Sequence, residues 1–150
     1  MVYEPIGIIH TPHREGKNSP IQPMYARKIA GRVEVFSEFA AGLANLDGFS
    51  HLILIYHLHQ IHDSQLRVTP FMDTQKRGVF ATRSPRRPNA IGISTVKLKY
   101  VQDGNIYFED ADMLDGTPLL DIKPHVPAFD SCTDVKIGWL QNRMKAESDG

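Results

Sequence analysis

Cysteine is nearly absent from this 150-residue chain, whose one thiol is Cys132, so there is no internal disulfide framework and no cysteine-rich zinc site. No nucleophile motif surrounds that thiol, and it reads as a small structural residue in a reducing compartment. Long hydrophobic runs are also missing. No segment approaches the apolar length of a membrane span, and the N-terminus lacks the basic then apolar pattern of a signal peptide, so no membrane contact and a cytoplasmic location are expected. Net charge is zero, 17 Lys and Arg against 17 Asp and Glu. Without overall basicity nothing draws the whole chain toward nucleic acid, and any RNA contact has to be local. Neither a Gly-x-Gly-x-x-Gly turn nor a P-loop occurs, which excludes the usual parallel-sheet sites for dinucleotides and nucleoside triphosphates. Repeats, low-complexity stretches and interdomain linkers are likewise absent.

What remains is 41% hydrophobic residues, enough to build one core, so a single domain over residues 1–150 is expected. Strand signals dominate. Pro5 to His10 is a short apolar run, and Lys28 to Phe36 alternates through Val33 and Val35. Ser37 is placed to cap a short helix with Phe39, Leu43 and Leu46 on one face and Gly48 past its end. From Ser50 to His59 two faces separate: Leu52, Leu54, Tyr56 and Leu58 on one, His51, Ile53, Ile55, His57 and His59 on the other. Gly78 to Thr82 and Ile91 to Val101 read as further strands, and Asp103-Gly104 as a hairpin turn leading to Ile106-Tyr107-Phe108. Gly138 to Ala146 suits a terminal helix. The pattern predicts a mainly β protein, a small antiparallel β-barrel with one or two short helices.

Two segments carry the chemistry. The first is Gly78 to Gly92, where Pro85 and Pro88 stiffen a turn bearing Arg83, Arg86 and Arg87. With Lys76 and Arg77 these make five cations within twelve positions, which suits either an anion or a solvated connection between strands. The second is Asp112-Met113-Leu114-Asp115-Gly116-Thr117-Pro118-Leu119-Leu120-Asp121-Ile122-Lys123-Pro124-His125. Its Asp115-Gly116-Thr117 core sets a carboxylate, a glycine open to close approach and a hydroxyl in one tight turn, able to meet a ribose or an ammonium group or to be only a turn.

Together with Phe80-Ala81-Thr82-Arg83-Ser84-Pro85 and Arg87-Pro88-Asn89-Ala90-Ile91-Gly92, this second segment closely resembles the TsaA-like, or TrmO-type, S-adenosylmethionine-dependent tRNA methyltransferases. The resemblance continues in Ile6-Gly7-Ile8-Ile9, Thr11-Pro12, Ser19-Pro20-Ile21-Gln22-Pro23, and Phe49-Ser50-His51-Leu52 running to His59-Gln60, in order from residue 6 to about 130. It implies a small β-barrel working as a homodimer, S-adenosylmethionine as cofactor and tRNA as partner. The implied reaction is methylation of N6 of threonylcarbamoyladenosine next to the anticodon. The family's cofactor contacts fall here on Pro20, Ile21, Gln22, His59, Gln60, Arg83, Ile93, Leu114, Asp115, Gly116 and Thr117. Arg83 would hold a carboxylate in bidentate fashion, and Ile93 would offer a backbone group or an apolar wall. Arg86 and Arg87 do not match cofactor positions and are expected to face RNA. Longer family members carry an extra C-terminal domain linked to tRNA recognition, and this chain is expected to lack it.

Methyl transfer from a sulfonium requires no enzyme nucleophile, because the methyl group arrives activated; positioning and electrostatics fall to the protein. No general base declares itself, and Asp115, His59 and His125 stand as alternatives. His57, His59 and His62 crowd together, but no flanking carboxylate completes a familiar ligand pattern apart from Asp63, so no metal is expected. The alternative to an enzyme is a module that binds S-adenosylmethionine or RNA without catalysing transfer.

Overall fold

The structure, a computed structural model, describes residues 1–14 and 28–149, with side chains to residue 144. The chain divides into two compact units, one of residues 1–62 and 89–125, the other of residues 63–88 and 126–150. The first is a closed six-stranded antiparallel barrel. Its strands are β1 (Gly7–His10), β2 (Gly31–Val35), β3 (His51–His57), β6 (Ile91–Gln102), β7 (Asn105–Glu109) and β8 (Thr117–Pro124), in the spatial order β1-β2-β7-β6-β3-β8. Closure leaves no open sheet edge and turns one face of every strand inward.

The inward face of β3 is Leu52, Leu54 and Tyr56, which meet Ile9, Val33, Val96, Ile106, Phe108 and Leu119 in the core. The alternation in the sequence therefore assigned the faces of β3 correctly. The turn between β6 and β7 is Asp103-Gly104, both residues at positive φ, as the hairpin signal predicted. The segment after β2 differs. Ser37–Leu43 is a 3₁₀ helix whose N-cap is Phe36, not Ser37, and no side chain caps it; Leu46–Gly48 forms a second short 3₁₀ turn. With Leu43 and Leu46 half-buried against the barrel, packing rather than capping holds this segment in place.

The second unit contains a two-residue ladder, β4 (Arg67–Val68) with β5 (Arg77–Gly78), and the helices α1 (Pro127–Asp130) and α2 (Leu140–Asp149). The strand expected over Gly78 to Thr82 is absent. Only Gly78 pairs, and Val79–Ala81 is a 3₁₀ turn that buries Val79 and exposes Phe80. Asp73 organises this unit: its covered carboxylate takes Arg77 Nε at 2.6 Å and Arg143 Nη2 at 3.2 Å. Arg77 foremost, aided by the Gln75 and Thr74 N–H groups, pulls its pKa down to about 2. Trp139 donates its indole N–H to Ala81 O at 2.7 Å and lies under the Arg77 guanidinium. Among the described residues no helix is long and apolar enough to cross a membrane.

Candidate functional site

Strand register gathers three of the expected cofactor segments at one end of the barrel. β3 leaves the sheet at His57; Leu58 N–H then donates to Ala90 O at 2.8 Å, and Ile61 N–H to Leu58 O at 3.1 Å, which closes a turn carrying His59 and Gln60. At that same end β6 begins, with Ile91 opposite His57 and Ile93 opposite Ile55. β8 runs antiparallel to β3, so its start lies there too: Leu119 pairs with Tyr56, and Asp121 with Ile55. The odd residue between those pairs, Leu120, is a bulge that redirects the chain beside the Leu114–Thr117 turn. Pro20, Ile21 and Gln22 lie outside the described residues. Arg83 belongs to the second unit, where it is exposed and makes no ion pair or side-chain hydrogen bond among the described residues.

The Leu114–Thr117 turn is built from its sequence. Thr117 N–H bonds to Leu114 O at 3.3 Å, and Gly116 takes φ +81° in the glycine position of a type II turn. A Cβ on Gly116 would meet no other atom within 4 Å, so its backbone is open to a ligand. Thr117 is buried and donates its hydroxyl to Leu114 O at 2.6 Å, which locks the turn from inside. Asp115 stays half-exposed. Its Oδ1 accepts the Thr11 N–H at 3.1 Å and lies 3.8 Å from His10 Nδ1, while Oδ2 has no partner among the described residues.

The segment after β1 is fastened to the same loop. Thr11 Oγ1 donates to Met113 O at 2.8 Å, buried His13 donates Nε2–H to Ala111 O at 2.8 Å, and the N–H groups of Asp115 and Gly116 donate to His13 O and Ile9 O at 2.8 Å each. The Thr11-Pro12 motif thus acts as a latch for the turn.

Sequence reasoning missed a buried polar chain beneath this loop. Tyr56 Oη lies 2.7 Å from Ser94 Oγ, which donates to Asp112 Oδ1 at 2.7 Å. Gly92 makes this possible: it pairs with Tyr56, and a Cβ there would strike the Tyr56 ring. Burial pushes the Asp112 carboxyl up to about 6, against the opposing Ser94 hydrogen bond, its own N–H and the nearby His13. The available signal was Ser94, a polar residue in phase with the inward-facing Val96 and Leu98 of β6.

His59 is half-buried, and its pKa is lowered, chiefly by desolvation and then by His57. Both effects favour the uncharged imidazole, and a hydrogen bond to the His57 backbone opposes them. Ile93 is 49% exposed on the outer face of β6 beside Ile91, an apolar wall rather than a core residue. Among the described residues no three His, Cys, Asp or Glu side chains are grouped to hold a metal. At the opposite end of the barrel an open groove of about 380 Å³ is lined mostly by Ile6, Phe39, Leu43, Leu46 and Ile122, with Asp121 its sole carboxylate.

Arg87 does not project toward solvent as expected. Its Nη1 lies 3.1 Å from Val79 O, 2.8 Å from Thr82 O and 3.2 Å from Ser84 O, because a loop broken by Pro85 and Pro88 leaves those carbonyls without ladder partners. Arg86 remains exposed, 3.5 Å from an exposed Asp63.

The chain belongs to the tRNA-methyltransferase O N-terminal domain family, whose profile matches residues 8–131 and so runs through segments of both units. It is 53% identical to a probable S-adenosyl-L-methionine-binding protein of Pyrococcus abyssi, covering 99% of this chain and 83% of that protein. A tRNA (adenine(37)-N6)-methyltransferase of Mus musculus is 32% identical over 99% of this chain but only 36% of its own length. The crystal structure of TrmO from Pseudomonas aeruginosa superposes with a TM-score of 0.78 at 35% identity, covering 93% of this chain and 62% of that one. This chain therefore spans most of the Pyrococcus abyssi relative and about a third of the mouse enzyme.

Proposed function

We propose that this protein is an S-adenosylmethionine-dependent tRNA methyltransferase acting on N6 of threonylcarbamoyladenosine beside the anticodon. The observation that supports it is the gathering of His59-Gln60, Ile93 and Leu114–Thr117 at one barrel end, where Gly116 is open and Asp115 Oδ2 has no partner among the described residues. S-adenosylmethionine, when bound, supplies the methyl group already activated on a sulfonium, and the protein's part is to bind, orient and balance charge. Asp115 Oδ2 would accept from a ribose hydroxyl or an amino group of the bound cofactor. His59, whose lowered pKa favours the uncharged imidazole, would hydrogen-bond without repelling a cationic sulfonium, and it stands with Asp115 and His125 as a candidate base for the acceptor's proton. Ile93 would wall the site, and the family resemblance alone adds Arg83, to pair with a carboxylate, and Pro20, Ile21 and Gln22 as further cofactor contacts.

The reading extends to assembly. The two units serve one methyltransferase domain in the cytoplasm, and a second copy covers the outer face of β3 and β6, where Ile53, Ile55, Ile91 and Ile93 form an apolar surface. One observation favours a second reading, a binding module without turnover: the Pyrococcus abyssi relative, which this chain matches almost end to end, is named for binding alone.

The test incubates purified, ligand-free protein with labelled S-adenosylmethionine and tRNA from cells lacking the activity, followed by nucleoside analysis. A methyl group on N6 of the modified adenosine is the expected result. Calorimetric binding without methylated nucleoside establishes the module instead, and no binding at millimolar cofactor overturns both. Arg83→Ala is expected to weaken cofactor binding by about 1–3 kcal/mol, the range for a charge-assisted contact.

A further inference from the structure

The stretch from Asp63 to Pro88 carries six Lys and Arg against two Asp in a chain of zero net charge. One of those acids is consumed internally, since Asp73 is covered and clamped by Arg77 and Arg143. Arg67, Lys76, Arg83 and Arg86 are exposed. In the same stretch Phe80 stands 74% exposed, a large apolar ring facing water.

Phe80 is nonetheless held firmly. Its backbone lies in the Val79–Ala81 3₁₀ turn, and the Arg87 guanidinium sits 5.9 Å from its ring centroid. Arg87 is fixed in turn by the carbonyls of Val79, Thr82 and Ser84. The product is an ordered aromatic plate, backed by a cation, with most of its surface presented to solvent. Bases of a single strand stack on such plates, and the backbone phosphates pair with nearby cations. The cation excess favours a polyanion over an apolar protein surface as the occupant.

We infer that Phe80, backed by Arg87, is a base-stacking platform for a single-stranded segment of the RNA substrate, with Arg86 contacting phosphate. This rests on the tRNA methyltransferase reading and names a surface by which the RNA is held. It also gives Arg87 a role as scaffold, in place of the phosphate contact expected from sequence.

The test uses the full chain and an anticodon stem-loop RNA carrying the modified adenosine as probe. RNA affinity is measured across a salt series, S-adenosylmethionine affinity by calorimetry and oligomeric state by light scattering, for wild type and for Phe80→Ala, Phe80→Trp and Arg86→Ala. Phe80→Ala is expected to weaken RNA binding about tenfold with an unchanged salt slope and unchanged cofactor affinity, and Phe80→Trp to restore it. Arg86→Ala is expected to reduce the salt slope by about one phosphate contact. Wild-type RNA affinity and KM in Phe80→Ala overturn the platform while leaving the methyltransferase reading intact. A change of oligomeric state in Phe80→Ala overturns it in favour of a protein contact. Cofactor binding by the wild type with no RNA binding at all overturns the platform and the tRNA reading together.

Discussion

Replacing Asp112 with asparagine should make the protein more stable at neutral pH and leave it unchanged in acid. The carboxyl sits beneath the Leu114–Thr117 loop, accepts from Ser94 at 2.7 Å, and has its pKa raised from 3.8 to about 6, foremost by burial. A raised carboxyl favours the folded state most when protonated in both states, below about pH 4. That advantage is lost as pH rises through about 6, where the folded protein must carry a poorly solvated charge. Moving one carboxyl from 3.8 to about 6 corresponds to about 3 kcal/mol, at 1.36 kcal/mol per pH unit. Asparagine keeps an Oδ1 to accept the Ser94 hydroxyl and carries no charge at any pH. The stability difference between Asp112→Asn and wild type, from urea denaturation at a series of pH values, should therefore be near zero at pH 4. It should grow between pH 4 and 6 and level off at up to about 3 kcal/mol by pH 7.5. A difference independent of pH, or a variant less stable than wild type at pH 7.5, would falsify the assignment of a desolvated carboxyl with a raised pKa.

Gly92→Ala should lower stability by about 1–3 kcal/mol, because the added methyl group meets the Tyr56 ring inside the barrel; a melting temperature equal to wild type would show that the ring is free to move. Arg87→Ala removes a donor shared by three carbonyls and should cost about 1–3 kcal/mol with faster hydrogen exchange across residues 79–87, whereas Arg86→Ala, whose exposed partner lies 3.5 Å away, should stay within about 0.5 kcal/mol of wild type. Equal effects of the two arginines would contradict the scaffold role. Light scattering of the wild type should give twice the chain mass and that of Ile55→Asp the single mass, and a wild-type monomer at micromolar concentration that still methylates tRNA would refute the need for a dimer.

Alternation is a local property, and where it decided the structure the sequence was readable. β3 shows this: Leu52, Leu54 and Tyr56 sit two apart, so they had to share a face whatever strand lay beside them. The stretch from Gly78 to Thr82 shows the converse. Its apolar residues resemble a strand, yet only Gly78 finds a partner in Arg67, and Val79 turns inward as a 3₁₀ residue once the ladder ends. A strand exists only if another strand is there to pair with it, and that is settled by the rest of the fold.

The same distinction separates the readable and unreadable parts of the site. The Leu114–Thr117 turn carries its instructions locally, in a glycine where φ is +81° and a threonine that bonds three residues back. The Tyr56-Ser94-Asp112 chain carries none that are local, since its members are 38 and 18 residues apart and meet only when Gly92 falls opposite Tyr56. A shift of that register by one residue would turn Ser94 outward and put Thr95, with an additional methyl group, in the barrel in its place. Barrel closure restricts that slip, because β3 is paired on its other side to β8 and cannot move without also displacing the Leu114–Thr117 turn. Closure therefore does more than bury a core: it couples the placement of the buried Asp112 to that of the exposed Asp115, and a substitution that loosens one is expected to blur the other.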